Sequence, residues 1–341
     1  MDPPPIRPFD VKLGLVIPAF NAEPWIGETL RSVLDSDFPA PLLDIVVIDD
    51  GSTDGTVREA KQVLRNSAVS WQVHSCERGG PGRARNLGAG LVAGEWIQFL
   101  DADDLLAKTK LAHQIRVARK ADREVAVVFS PWASLSAENG SLGALRTPEV
   151  GEDPVFELLA TRNFIALGSQ LVNRSWFERT GGFIENHWLI EDVEMALRIA
   201  MAGGKFVGAA SGEPMFYYRR HPCSLSRQNA AGFAEGCVRN ARMAERLLKE
   251  RGWRMTGERK RVLLDVYGHA LRVFYERDRV RFEELLRQVE ELEPGYSPDA
   301  PTRLKWLSRV IGYRRAEATA LAFRRGRGWA GVMRLNTRFR A

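Results

Sequence analysis

Three carboxylates crowd into four residues at Asp101-Ala102-Asp103-Asp104, directly after the apolar run Trp96-Ile97-Gln98-Phe99-Leu100. Acids this close repel one another unless a cation or solvent neutralises them, and oxygen-rich clusters of this kind suit Mg2+ or Mn2+ bridging to substrate phosphates. Read structurally, the same triplet is a solvated strand-end turn with Asp104 capping the next helix. A second acidic run, Asp49-Asp50-Gly51-Ser52-Thr53-Asp54-Gly55-Thr56, closes the apolar run Ile45-Val46-Val47-Ile48. Its acids can accept from a ribose hydroxyl or a base N–H, or form a turn and a helix cap with Thr53 or Asp54. A third run, Gly79-Gly80-Pro81-Gly82-Arg83-Ala84-Arg85-Asn86, opens a helix with glycines and two arginines. A helix N-terminus with Arg suits a diphosphate. The run is not a dinucleotide fingerprint, because Arg85 stands at the third glycine position, and it lacks the GK[ST] of a P-loop.

These loops need strands to position them. Leu13–Ile17, Ile45–Ile48, Trp71–His74, Trp96–Leu100 and Val125–Phe129 read as strands, separated by helices over 24–36, from about Asp54, over Gly82–Ala93 and over Leu105–Lys120. Strands without polar alternation, separated by helices, predict an α/β fold with a mostly parallel sheet covered on both faces. Ligands in such sheets bind beyond the carboxyl ends of the strands, and two of these strands end in acids there. From Ser130 to about Gly168 the pattern weakens into an irregular insertion over the site. Residues 191–202 form an amphipathic helix stopped by Gly203-Gly204, Phe206–Tyr218 is extended, and the chain after Asn229 is helical, with a break at Pro294–Pro301.

Taken in order, Val16-Ile17-Pro18-Ala19-Phe20-Asn21-Ala22-Glu23, Val47-Ile48-Asp49-Asp50-Gly51-Ser52-Thr53-Asp54-Gly55, Gly82-Arg83-Ala84-Arg85-Asn86-Leu87-Gly88 and Phe99-Leu100-Asp101-Ala102-Asp103-Asp104 resemble the family 2 glycosyltransferases. Gly181-Gly182-Phe183, Glu191-Asp192 and the Tyr218–Ser226 segment continue the resemblance, which covers roughly 10–228. It implies the A-type nucleotide-diphospho-sugar transferase (GT-A) fold, Rossmann-like, and inverting sugar transfer. By the same resemblance Pro18, Phe20 and Glu23 match the loop packing on uracil and ribose, and Asp49 or Asp50 the acid reading the base. Gly82 and Arg85 match the loop closing over the nucleotide. Asp101 and Asp103 match the DxD pair around Ala102, the first leaning to ribose and the second to the metal. Arg219, Ser224 and Ser226 match the diphosphate grip, with His221 as a metal ligand beside Asp103. Asp192 matches the catalytic base; read structurally it is a helix N-terminal carboxylate facing the macrodipole. Glu191 and Trp188 fall on the acceptor side. A single displacement needs a base for the acceptor hydroxyl and neutralisation of the departing diphosphate, which these residues and Mn2+ or Mg2+ would supply.

The resemblance thus implies a UDP-sugar donor and a glycan or lipid-linked acceptor, as in surface-polysaccharide synthesis of the cell envelope. The other readings are a nucleotidyltransferase of similar fold, whose N-terminal Gly-rich loop is absent from 16–23, and an inactive sugar-nucleotide-binding scaffold. Departures from the family pattern are Val193 where an aromatic often follows Glu-Asp, Arg78 before the glycine loop, and Arg220. His74, His113 and His269 read as structural.

Composition sets the frame around that site. With 341 residues, 45% hydrophobic and 27% charged, the chain is globular and has room for about two domains. These are expected as a catalytic domain over 1–228, with the nucleotide-sugar part at about 10–130 and the acceptor side at about 131–228, and a helical basic region over 229–341. Cys76, Cys223 and Cys237 lack metal spacing, the Pro-rich start is no signal peptide, and no apolar run is long enough to span a membrane. A cytoplasmic location follows as the expectation. Residues 301–341 hold eleven Lys/Arg against the single acid Glu317, so this tail carries +10 of a net +6 and the first 300 residues carry −4. An acidic body argues against a nucleic-acid partner. The tail's arginines, interleaved with Trp306, Tyr313, Phe323, Trp329 and Phe339 around a stripe of Leu304, Leu307, Val310 and Ile311, suit peripheral contact with an anionic membrane; a solvated arm or a docking helix pair is the other reading.

Overall fold

The computed structural model describes residues 11–160, 164–222, 229–299 and 301–326. The chain divides into two compact units, one of Met1–Pro154 with Ile165–Pro222, the other of Val155–Phe164 with Cys223–Ala341. The second unit thus takes in 155–164, a segment that the sequence reading kept with the first.

The first unit begins as apolar runs demand. Leu13–Ala19 (β1), Leu43–Asp49 (β2), Trp96–Phe99 (β4) and Val125–Phe129 (β6) are almost wholly buried, as strands covered on both faces must be. Between them lie Ile26–Leu34 (α1), Thr56–Leu64 (α2), Ser70–Ser75 (β3), Pro81–Leu91 (α3), Leu105–Leu106 (β5) and Lys110–Lys120 (α4). Trp132–Ser136 (β7), Gln170–Asn173 (β8), Arg174–Arg179 (α6), Glu191–Met201 (α7), Lys205–Gly208 (β9) and Phe216–Arg220 (β10) follow, while Pro154–Leu159 (α5), between β7 and β8 in the chain, belongs from Val155 on to the second unit. The main sheet has the order β3-β2-β1-β4-β8-β6-β9, and β10 lies between β5 and β7 in a second, three-stranded sheet. Pairing in the main sheet is parallel except where β8 runs against both β4 and β6, and in the second sheet β10 runs parallel to β7 and antiparallel to β5. Gly88 lets α3 close on β1, since a Cβ there would meet Val16 Cγ1 at 2.3 Å.

Three expectations are corrected here. The helix expected from Leu105 starts at Lys110, because Leu105 and Leu106 instead pair with Tyr217 and Phe216. Asp104 does not cap that helix; it is buried and accepts from the Arg219 backbone N–H at 2.7 Å. The stretch 130–168 is not irregular throughout, because β7 pairs along its whole length with β10.

The second unit is helical: Ala230–Glu250 (α8), Gly257–Arg277 (α9), Arg279–Leu292 (α10), Thr302–Ile311 (α11) and Tyr313–Gly326 (α12). Asn229, Thr256 and Asp278 cap α8, α9 and α10 through their side chains. Its core gathers Leu263, Tyr267, Leu271, Phe274, Phe282 and Val289. Burial, helped by nearby Arg272, lowers the His269 pKa to about 4, which keeps that ring neutral and agrees with a structural role. No helix among the described residues is long and apolar enough to cross a membrane.

Candidate active site

Parallel pairing brings the ends of β1, β2 and β4 to one edge, with Ala19 opposite Asp49 and Val16 opposite Phe99. The loops there are stitched together. Asn21 donates its N–H to Ser52 Oγ at 2.9 Å and accepts from the Thr53 N–H at 2.9 Å. Glu23 accepts from the Gly55 N–H at 2.9 Å and pairs with Arg58 at 2.6 Å. Pro18 lies within β1, half-buried, opposite Ile48. Asp49 and Asp50 are both buried. Asp49 accepts from the Ser52 N–H at 3.1 Å, whereas Asp50 takes the N–H groups of Gly79 and Gly80 at 2.7 and 2.9 Å. The carboxylate of Asp50 therefore holds the glycine loop at the start of α3.

That loop carries a stack the sequence did not announce. The Arg78 guanidinium lies 3.7 Å over the Phe20 ring and 5.7 Å from the Trp188 ring. Gly80, at φ +90°, admits Trp188 against its backbone: a Cβ would meet Trp188 Cε2 at 2.7 Å. Gly82, two residues on, is buried, and a Cβ there would sit 3.2 Å from the Ile184 carbonyl oxygen. Asn86, next along α3, donates to the Phe183 carbonyl and accepts from the Phe183 N–H, both at 2.8 Å. This pins the Gly181-Gly182-Phe183 turn, whose glycines sit at φ +82° and +63°.

Arg85 is the hub. Buried on α3, it reaches Asp101 at 2.6 Å and Glu191 at 2.5 Å, and those two carboxylates hold it protonated despite the cost of burial. The Asp101–Asp104 turn is fixed from the other side too. The Ala102 carbonyl accepts from Thr29 Oγ1 at 2.8 Å, and Arg219 donates to the Asp103 carbonyl at 2.6 Å while pairing with Glu28 at 2.7 Å. Asp103 Oδ2 meets His221 Nε2 at 2.7 Å, and the His221 ring stacks on Trp25 at 5.4 Å. Ser224 and Ser226 lie outside the described residues.

Glu191 and Asp192 open α7 behind a strained residue. Ile190 sits at φ +63°, a conformation a β-branched residue rarely accepts, and such strain concentrates at functional sites. Glu191 is buried on Arg85, so its carboxylate positions neighbours rather than facing outward. Asp192 is half-buried, and its Oδ1 accepts from the Val193 N–H at 2.8 Å. Desolvation, reinforced by the adjacent Glu191 charge and opposed by Arg85, raises the Asp192 pKa to about 7. A carboxylate poised there can exchange a proton near neutral pH. Just upstream, His187 Nδ1 contacts buried Glu194 at 2.5 Å, and Trp188 is 41% exposed.

The donor set at Asp103 and His221 is one oxygen and one imidazole nitrogen. No cluster of three His, Cys, Asp or Glu side chains forms a metal cage among the described residues. A hard divalent ion that keeps waters and completes its shell with substrate phosphates needs only one or two protein ligands, and this pair fits that pattern.

Residues 15–179 match the model of glycosyl transferase family 2. The poly(ribitol-phosphate) beta-N-acetylglucosaminyltransferase TarS of Staphylococcus aureus is 33% identical over 101 residues, 30% of this chain and 18% of TarS. The putative teichuronic acid biosynthesis glycosyltransferase TuaG of Bacillus subtilis is 32% identical over 129 residues, 38% of this chain and 49% of TuaG. The chain thus spans less than half the length of these curated relatives. Among solved structures, S. aureus TarS 1-349 in complex with UDP-GlcNAc superposes with a TM-score of 0.65 at 18% identity, covering 92% of each chain. The mannosyltransferase PcManGT from Pyrobaculum calidifontis, in complex with GDP-Man and Mn2+, gives 0.55 at 20% identity over 92% of this chain and 88% of that one. Residues 15–179 are thus similar to a glycosyl transferase family 2 domain, and the chain shares the GT-A fold of these solved glycosyltransferases.

Proposed function

We propose that the chain is an inverting glycosyltransferase that moves a sugar from a nucleotide-sugar, a UDP-sugar, to a hydroxyl of a glycan or lipid-linked acceptor. The observation that supports this reading is Arg85, which pairs with both Asp101 and Glu191, the residue that precedes Asp192. Asp192 acts as general base: its carboxylate takes the proton from the acceptor hydroxyl as that oxygen attacks the anomeric carbon and the nucleoside diphosphate leaves. Its raised pKa suits it to do so near neutral pH. Phe20, Arg78 and the loop held by Asp50 bound the nucleotide on one side, with Trp188 facing the acceptor. Asp49 or Asp50 reads the base, while Pro18, Glu23 and Gly82 shape the pocket. Arg219, with Ser224 and Ser226, grips the diphosphate. Asp103 and His221 would hold Mn2+ or Mg2+, which supplies charge neutralisation for the leaving group. TarS is named for poly(ribitol-phosphate) and TuaG for teichuronic acid biosynthesis, which favours a polymer acceptor here too. The donor half is assigned to about 10–130 and the acceptor side to about 131–228. Cys76 and Cys237 are free thiols, in keeping with a cytoplasmic enzyme.

Calorimetric titration of UDP, GDP and TDP, each with and without Mn2+, tests the donor assignment. UDP binding strengthened by the metal is the expected result, and metal-independent or absent binding of all three would overturn it.

A further inference from the structure

The helix α11 carries an outward face that the sugar-transfer reading leaves unused. Its inner side is anchored by Leu304 and Ser308, which are 3% and 4% exposed, the Ser308 hydroxyl donating to the Leu304 carbonyl at 2.6 Å. On the opposite side Trp306 and Val310 stand one turn apart, 69% and 62% exposed. Helical spacing places exposed Arg303 to one side of that stripe and exposed Arg309 to the other. Neither arginine has an ion-pair partner among the described residues. Contiguous apolar side chains left in water, rimmed by cations, mark an interaction surface.

We propose that this face docks the protein on an anionic lipid surface, with Trp306 and Val310 inserted at headgroup depth and Arg303 and Arg309 paired to lipid phosphates. At about 1.5 Å per residue the ten-residue helix is too short to span a bilayer, so it lies in the interface plane. The charge fits: the cations concentrate beyond residue 300, while the rest of the chain is net negative and is repelled from the same surface. A twofold contact with a second copy would set one arginine-rimmed stripe against another, which like charge opposes. The outward Trp306 and Val310 would have nothing to bind on a phosphate backbone. The proposal stands independently of the donor site.

The test is co-sedimentation of the full chain with vesicles of phosphatidylglycerol and phosphatidylcholine, against phosphatidylcholine alone. The anionic vesicles should bind the protein, and binding should weaken as salt rises. Arg303→Gln and Arg309→Gln should each weaken it about fivefold, and Trp306→Ala with Val310→Ala at least about tenfold. Circular dichroism and UDP titration of each variant should match the parent, which separates lost docking from lost folding or a failed donor site. With brominated lipid, Trp306→Phe should lose emission quenching while still binding. Equal uptake by both vesicle types, no uptake, or uptake indifferent to the α11 substitutions would overturn the proposal. A concentration-dependent dimer abolished by Trp306→Ala, with no vesicle binding, would do so too.

Discussion

Arg85 and Glu191 meet at 2.5 Å across 106 residues of sequence, joining the second turn of α3 to the first turn of α7 inside the protein. The same guanidinium holds Asp101, so three motifs from three loops share one buried cation. A buried charge is tolerable only when paired, and here each partner needs the other.

Removing the cation should therefore damage stability as well as activity. Arg85→Ala leaves Glu191 buried and unpaired and should cost about 3–5 kcal/mol of folding stability. Arg85→Lys, which cannot fork to both acids, should recover part of it. Denaturant unfolding of the two variants measures this directly, and an Arg85→Ala as stable as the parent would contradict the hub.

The same cluster sets a pH dependence. Asp192 must be ionised to accept a proton, so with a pKa of about 7 transfer should fall as pH drops below neutrality, by about tenfold per unit well below it. Glu191→Gln removes a like charge that raises that pKa, so its acidic limb should move to lower pH. Rate profiles of parent and variant between pH 5 and 9 read the shift; a limb that stays put or moves up would break the link between the two acids.

Asn86 replaces a backbone partner for Phe183 by offering both an acceptor and a donor. Asn86→Ala should cost about 1–3 kcal/mol, because the buried Phe183 amide loses its partners. Asn86→Asp keeps the acceptor but not the donor and should fall between. Thermal unfolding distinguishes the three proteins, and equal stability would remove this role.

Asp103 and His221 are expected to matter only when metal is present. Asp103→Ala and His221→Ala should each abolish the gain in UDP affinity on adding Mn2+ while leaving metal-free binding near that of the parent. Calorimetry with and without chelator makes the comparison, and an undiminished gain in either variant would exclude it as a ligand.

Much of the frame was legible because buried parallel strands write themselves as apolar runs: Leu13–Ile17, Ile45–Ile48 and Val125–Phe129 all sit where the pattern placed them. Leu105–Leu106 was misread as helix because two residues cannot show a period, and only their pairing with β10 fixes them. Trp132–Ser136 alternates too little to announce a strand, yet β10 claims it. At the site, residue types marked Asp101 and Asp103 and the family resemblance pointed to Asp192, but nothing local could show that Arg85 spans to Glu191. Arg78 stood out as a departure, and its stack on Phe20 arises only once β1 and the glycine loop converge. Glu28 and Arg198 gave no signal at all: one pairs with Arg219, and the other donates to the Thr180 and Gly182 carbonyls.

The central claim is that Asp192 is the base of a sugar transfer, and Asp192→Asn tests it most directly. Transfer from UDP-sugar donors and UDP affinity would be measured side by side on parent and variant. The account predicts unchanged UDP affinity with turnover lower by at least about 100-fold. A variant that keeps near-full transfer, or a parent that neither binds UDP nor consumes any UDP-sugar, would contradict it.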